Sequence, residues 1–165
     1  MIKKHIKVKD MQKLKNSLTP NDSLMPEAQK RRIRRTLAAH KLRNTKCRTA
    51  VLRQFMKNDK ALSHSELEKT LKEFDRVTIY RTINSFLEKG LIHRVPDNSG
   101  TMRYALCPHN CSPEEHQHDH VHFQCNVCGT TQCLNQPVPE ISLPEGYLKE
   151  EVNFLVEGIC KNCQN

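Results

Sequence analysis

The chain has 165 residues, enough for one domain or two small ones, and only 36% of them are hydrophobic, with no Trp. Residues 1–105 carry 25 Lys and Arg against 10 Asp and Glu, whereas residues 106–165 carry 2 against 8. No stretch reaches the 18 apolar residues of a membrane span, and the opening residues lack the apolar core of a secretion signal. We therefore expect a cytoplasmic protein with reduced thiols, in which a basic nucleic-acid-binding half joins an acidic sensing or assembly half.

The first 29 residues are rich in lysine and poor in apolar side chains, and they contain Pro20 and Pro26, so we predict a flexible basic arm. The run KRRIRR at residues 30–35 then opens a helix that includes Leu37 and Leu42. Such a basic cluster either grips DNA phosphates or forms a solvated helix face, and the sequence leaves both interpretations open.

Three further helices are predicted from their capping residues and from apolar side chains at helical spacing. Thr45 caps the first, Ser63 and Glu66 form a capping box at the second, and Asp75 caps the third. Gly90 ends the third helix, because glycine readily adopts the positive φ that a helix C-terminus often needs.

After this helix the apolar period changes from helical to alternating. Residues 91–95 and 101–106 are predicted strands, joined by a turn at residues 96–100, so three helices and a β-hairpin predict a winged helix-turn-helix. The third helix would enter the DNA major groove, with Tyr80 against a thymine methyl and Arg81 on a guanine edge or a phosphate. The competing interpretation is that these two residues only pack and solvate the helix. The other predicted DNA-binding residues of this helix are Arg76, Thr78 and Asn84.

Two Cys-x-x-Cys pairs give the strongest chemical signal in the acidic half. A single pair is also typical of redox motifs, but two pairs supply the four thiolates that a structural zinc prefers. Gly129, directly after the first pair, permits a tight turn beneath the metal. We therefore predict one structural zinc, held by Cys125, Cys128, Cys160 and Cys163.

A histidine run precedes the first cysteine pair. His118, His120 and His122 alternate, so an extended strand places all three on one face and leaves Val121 and Phe123 on the other. Imidazoles that converge on one face suit zinc or ferrous iron. The alternative is a solvated, histidine-rich loop that binds metal only incidentally.

Taken together, these motifs resemble the ferric uptake regulator (Fur) family. The resemblance rests on the run DRVTIYRT at residues 75–82, the wing, the histidine run and both cysteine pairs, in the family's order over residues 36–163. It implies a homodimeric, metal-dependent transcription factor, usually a repressor, that binds operator DNA through its winged helix and dimerises through a C-terminal α/β domain. By position, it implies DNA contacts from Tyr80 and Arg81, regulatory metal ligands in His120 and His122 at the domain hinge, and the four zinc cysteines named above.

The chain departs from the family's pattern at three places. Ala105 stands where the family often has a regulatory glutamate, so we expect Cys107, His109 or Cys111 to supply the missing ligand. Val152 replaces a histidine of a second regulatory site, and residues 135–148 hold three prolines where the family has a helix. We therefore expect no second site and a trimmed domain that dimerises through strands around residues 128–134 and 151–156.

The predicted fold class is α+β, with four segments in chain order. These are a basic arm (1–29), a winged-helix domain (30–106), a hinge with metal ligands (107–119) and a small zinc-stabilised dimerisation domain (120–165). The regulatory site would combine His120 and His122 with further ligands. The sequence does not show which of five residues supply them: Cys107, His109, Cys111, His116 and His118. A thiolate in that site favours Zn²⁺, whereas an all-nitrogen and oxygen set tolerates Fe²⁺ or Mn²⁺.

Other functions fit only parts of this pattern. A zinc hydrolase needs an open metal position, which four thiolates do not leave, and the histidine run lacks a His-Glu-x-x-His helix, so we expect neither an enzyme nor a small-molecule substrate. A zinc-ribbon accessory protein would keep the cysteine pairs and the basic charge but leave the winged helix unexplained. Within the family, a peroxide sensor stays open if iron occupies the histidine site.

Overall fold

The computed structural model describes residues 25–95, 100–107, 120–150 and 152–164. Its helices are α1 (Glu27–Ala39), α2 (Lys46–Lys57), α3 (His64–Thr70) and α4 (Arg76–Glu88). Its strands are β1 (Leu62–Ser63), β2 (Ile92–Val95), β3 (Arg103–Leu106), β4 (His120–Cys125), β5 (Thr131–Pro137) and β6 (Leu155–Gly158). The predictions for residues 1–24, for most of the wing turn and for His109, Cys111, His116 and His118 lie outside the described residues.

The predicted winged helix is confirmed. Helices α2, α3 and α4 are followed by β2 and β3, the two strands of the wing. These strands form an antiparallel sheet of order β1-β3-β2 with β1, which lies between α2 and α3 in the chain. Strand β1 was not predicted, because two residues are too few to show a period. Its Ser63 also caps α3, so the sheet and the helix share one residue.

The predicted helix starts are confirmed by hydrogen bonds. Thr45 Oγ1 accepts from the Arg48 N–H at 3.4 Å, and Asp75 Oδ1 accepts from the Thr78 N–H at 2.8 Å. At α3 the capping box is complete, since Glu66 reaches back to the Ser63 N–H at 2.7 Å. Helix α4 ends before Gly90, whose φ is 64°, as predicted.

The first helix differs from its prediction at both ends. It begins at Glu27, because Pro26 caps it and accepts hydrogen bonds from two backbone N–H groups of the first turn, and Met25 is only 3% exposed. The packed domain therefore starts before the predicted boundary at residue 30. Helix α1 ends at Ala39, and Leu42 is buried beyond the turn rather than within the helix.

One apolar core lies inside the winged helix. Ile33 and Leu37 of α1 are fully buried in it, together with Leu52 of α2 and Ile79 and Phe86 of α4. Helix α4 packs against α2, α3 and β2, and α1 packs against α2. The side of α4 that carries Tyr80 and Arg81 stays exposed to solvent.

The acidic half forms a second three-stranded sheet of order β5-β4-β6. Strand β4 pairs antiparallel with β5 and parallel with β6. As predicted, residues 138–150 contain no helix. None of the described helices is long and apolar enough to cross a membrane.

The two sheets touch each other directly. The Ala61 N–H, just before β1, donates to the Thr131 carbonyl of β5 at 2.7 Å. Cys133 of β5 packs against a small apolar cluster of Ala61, Val95 and Ala105. The inner face of the wing therefore lies against the second sheet, and a candidate site is formed at this contact.

Candidate metal centres and DNA-binding face

The two cysteine pairs meet at one end of the second sheet. The sulfur atoms of Cys125, Cys128, Cys160 and Cys163 all lie within 4.8 Å of one another. Cys128 and Cys160 are 3.9 Å apart, close to the separation of two thiolates on one tetrahedral zinc, about 3.8 Å for Zn–S bonds of about 2.3 Å. Gly129 has a φ of 67°, which supports the tight turn that the sequence predicts there. The four thiols fit a closed, structural zinc site.

Backbone groups already favour negative charge in this cluster. The N–H groups of Cys128 and Cys160 point at the Cys125 sulfur, the second at 3.4 Å, and they lower the pKa of the Cys125 thiol to about 6. Hydrogen bonding to the Cys160 thiol and partial burial raise the pKa of Cys163 to about 12. Zinc coordination would require all four cysteines to be thiolates, so zinc binding would release their thiol protons.

A second cluster lies where the wing meets the second sheet, and we call it the hinge cluster. Its ligand atoms, from His93, His120, His122 and Cys133, lie within 4.8 Å of one another. His93 Nε2 is 3.2 Å from His122 Nε2 and 3.4 Å from the Cys133 sulfur. The rings of His120 and His122 are 4.6 Å apart, so the two histidines lie on one face of β4, as their alternation predicts.

Strand register explains how these four side chains meet. Cys133 of β5 lies directly opposite His122 of β4. His93 of β2 lies opposite Ala105 of β3, and both are buried. The small side chain at residue 105, where the related family often has a glutamate, leaves the imidazole of His93 as the wing's ligand donor.

Three imidazoles and one thiol fit a borderline metal such as zinc. The pKa of the Cys133 thiol is raised to about 12 by burial, so this sulfur carries a proton at neutral pH until a cation replaces it. His93 and His122 are 3% and 2% exposed, so any ion held here would be largely shielded from water.

Cys107 lies beside the hinge cluster but is not one of its four members. Its sulfur is 3.5 Å from Nδ1 of His93, whereas Nε2 of the same ring points to His122 and Cys133. A metal-bound imidazole usually places its second nitrogen against an outer partner that fixes the ring's orientation, and Cys107 occupies that position.

The sequence prediction missed two members of the hinge cluster. His93 lies in the buried pattern of β2, and that pattern predicts only a strand. Cys133 follows Cys128 by five residues and belongs to neither pair. In the sequence, the only signs of the site were a cysteine outside both pairs and a histidine on the buried face of a wing strand. Only the contact between the wing and the second sheet brings Cys133 and His93 together.

The predicted DNA-binding face is open on α4. Tyr80 is 54% exposed, the Arg76 side chain is 81% exposed, and Arg81 is also exposed. Asn84 is half-buried, and Thr78 donates its hydroxyl to Asp75 Oδ2 at 2.6 Å, so this hydroxyl supports the helix start. The DNA-binding roles of these residues stay predictions.

Two side chains of α3 contact Tyr80 and Arg76, and the sequence did not indicate these contacts. The ring of His64 meets that of Tyr80 edge-on, with centroids 6.0 Å apart. Glu68 lies 3.4 Å from the Arg76 guanidinium and 3.6 Å from Nδ1 of His64. The α3–α4 contact therefore positions the exposed face as well as packing the core.

Comparison with known proteins agrees with this architecture. The model of the Ferric uptake regulator family matches residues 39–155. The zinc uptake regulation protein of Mycobacterium tuberculosis is 23% identical over 107 residues, which are 62% of this chain and 76% of that protein. A solved zinc uptake regulator complexed with zinc and DNA has a TM-score of 0.57 and 24% identity, over 88% of this chain and 96% of that one. The Vibrio cholerae ferric uptake regulator has a TM-score of 0.50 and 19% identity, over 76% and 98%.

Proposed function

This chain belongs to the ferric uptake regulator family of metal-responsive, DNA-binding transcription regulators, and from that premise we propose that it is a zinc-responsive repressor. It would act as a homodimer in a reducing cytoplasm, where its thiols stay free. The seven described cysteines form no disulfide with one another, as expected in such a compartment.

One observation carries the proposal: the hinge cluster takes ligands from both halves of the chain. His93 belongs to the wing, whereas His120, His122 and Cys133 belong to the second sheet. The four ligand atoms converge only when the wing lies against that sheet. An ion that binds this arrangement preferentially would increase its population.

The arrangement of the two halves matters because a dimer presents two recognition helices. Helix α4 is fixed to the wing through the shared core, so the wing's orientation on the second sheet sets the direction of α4. Two such helices must match half-sites about one helical turn apart to bind together. Zinc bound at the hinge cluster would therefore favour operator binding, and its loss would release the operator.

The donor set favours zinc over the other metals of the family. A thiolate with three imidazoles suits zinc, whereas manganese prefers oxygen ligands. The zinc uptake regulation protein of M. tuberculosis and the solved regulator bound to zinc and DNA support the same choice. The Cys133 thiol also disfavours the peroxide-sensing alternative, which requires iron at this site.

The four-cysteine site has a different role in this proposal. Cys125, Cys128, Cys160 and Cys163 would hold a permanent zinc that joins the turns after β4 and β6 at one end of the second sheet. That sheet has few buried apolar side chains of its own, so the metal would replace much of a core.

The test is metal-dependent DNA binding by protein that retains only its four-cysteine zinc. Duplexes selected from a random pool by the zinc-loaded protein would serve as operator. Buffered Zn²⁺, Fe²⁺ and Mn²⁺ are then titrated separately while DNA binding is followed by anisotropy. We expect zinc to act at the lowest free concentration. Binding that needs no added metal, or that responds to iron or manganese alone, would contradict the proposal.

DNA reading by α4 is tested in the same assay. Arg81→Ala should weaken operator binding by about 1–3 kcal/mol without changing zinc content or dimerisation. Tyr80→Ala should act in the same direction, and Lys149→Ala, an exposed lysine of the second half, is the control. Equal losses on operator and random DNA would assign both residues to phosphate contacts or packing.

A further inference from the structure

Four arginines stand within five positions of α1, before residue 39, where the match to the family begins. All four side chains are exposed, and we call them the arginine face: Arg31, Arg32, Arg34 and Arg35. We propose that the arginine face is a second DNA-binding surface, which grips backbone phosphates of the duplex that α4 reads. The proposal rests on the DNA-binding function proposed above and adds a contact that does not depend on base sequence.

The arginine face is fixed to the DNA-binding domain. Ile33 and Leu37, on the opposite side of α1, are fully buried in the core shared with α2 and α4. Since i and i+4 positions share a helix face, Arg31 and Arg35 stand together opposite that buried side. The guanidinium groups therefore emerge from a rigid base, which lowers the entropy lost when they bind a ligand.

The arrangement is unfavourable for the isolated helix. Like charges at i, i+3 and i, i+4 repel each other, and Arg31, Arg34 and Arg35 stand at these spacings. Glu27 is the only acidic residue of α1, and it pairs with Lys30 at 2.8 Å. Among the described residues none of the four arginines forms a salt bridge, and Glu27 interacts with Arg31 and Arg34 only at longer range.

The residue type indicates phosphate. Residues 1–24 contain six lysines and no arginine, whereas α1 has four arginines and one lysine. Arginine's planar fork binds phosphate oxygens in pairs, and its weaker hydration lowers the cost of contact. We assign the polyanion to the DNA duplex that α4 binds, because the arginine face and α4 belong to one packed domain.

Salt dependence distinguishes this proposal from a solvated helix face. Each lost phosphate contact lowers the slope of log Kd against log salt by about 0.9, and lowers affinity about tenfold at 0.1 M salt. We compare Arg31→Gln, Arg35→Gln and their double variant with Lys149→Gln, which removes one exposed charge from the second half. Zinc content, melting temperature and dimerisation are measured for each.

We expect each single variant to lose about tenfold on operator and on random duplex alike, with the ratio of the two unchanged. The double variant should lower the slope by about 1.8, and Lys149→Gln should lower neither slope nor affinity. Unchanged slopes, an equal loss in the lysine control, or a loss confined to operator would overturn the proposal. If the parent protein showed no preference for operator, the proposed function would fail instead, and the slopes would still report on the arginine face.

Discussion

The two metal-ligand clusters differ in what they join. The four cysteines sit on two turns at one end of a single sheet, so an ion among them closes one domain on itself. The hinge cluster joins His93 of the wing to three side chains of the second sheet. A metal site within one domain contributes to folding, whereas a site between two domains contributes to their arrangement. The same chain can therefore use zinc for stability at one place and for regulation at another.

The largest expected effect comes from breaking the four-cysteine site. Cys160→Ser should lose about one zinc per chain and unfold the second sheet. Structural zinc contributes roughly 10–16 kcal/mol of apparent binding free energy, as much as the whole stability of a small domain. Circular dichroism, zinc analysis and sedimentation would report the loss of structure, metal and dimer.

Cys133→Ser is the matched control for that variant, because it also removes one thiol from the second sheet but from the hinge cluster. It should keep one zinc per chain and the folded sheet. If both serine variants unfold alike, or if Cys160→Ser stays a folded dimer with full zinc content, the division between a structural and a regulatory site is wrong.

Replacing Cys107 should have a smaller effect on zinc binding. Its size distinguishes the predicted role of Cys107 as a metal ligand from its position in the structure as a partner of His93. A direct ligand should abolish regulatory zinc binding when replaced by serine. The structure places the Cys107 sulfur beside Nδ1 of His93, the ring nitrogen that points away from the cluster. Because Cys107 would only orient this ring, Cys107→Ser should weaken zinc binding at the hinge cluster about 10- to 100-fold without destroying the site. Competition titrations against a zinc chelator measure the difference. Complete loss of the second zinc would restore Cys107 as a ligand.

The pH dependence of zinc binding at the hinge cluster should report on the thiol of Cys133. Burial raises the pKa of the Cys133 thiol to about 12, so this sulfur is protonated in the metal-free chain at neutral pH. Zinc must displace that proton, so the affinity of the hinge cluster should rise about tenfold per pH unit between about pH 7 and 9, a range above the usual pKa of histidine.

Cys133→Asp is the control for the pH experiment, since aspartate is ionised throughout that range. This variant should bind zinc more weakly but with a flatter dependence on pH. Equal slopes for the two proteins would show that the proton released on binding does not come from Cys133.

The parts of the site predicted from the sequence are those encoded locally. The Cys-x-x-Cys spacing is enough to predict each pair of zinc ligands. The alternation of His120 and His122 along one strand is enough to predict that they share a face. His93 lies 29 residues before His122 and 40 before Cys133, so only the contact between wing and second sheet unites them. The helix caps were local too, whereas the start of α1 depended on the packing of Met25 into the core.

The most direct test of the central claim is His93→Ala, a single change in the wing, measured as zinc-dependent operator binding. Because His93 is the hinge ligand contributed by the DNA-binding domain, the variant should keep its four-cysteine zinc, its dimer and its weak metal-free DNA binding. It should lose the increase in operator affinity that zinc gives the parent protein. Zinc-stimulated operator binding that survives in His93→Ala would contradict a regulatory site shared between the two domains.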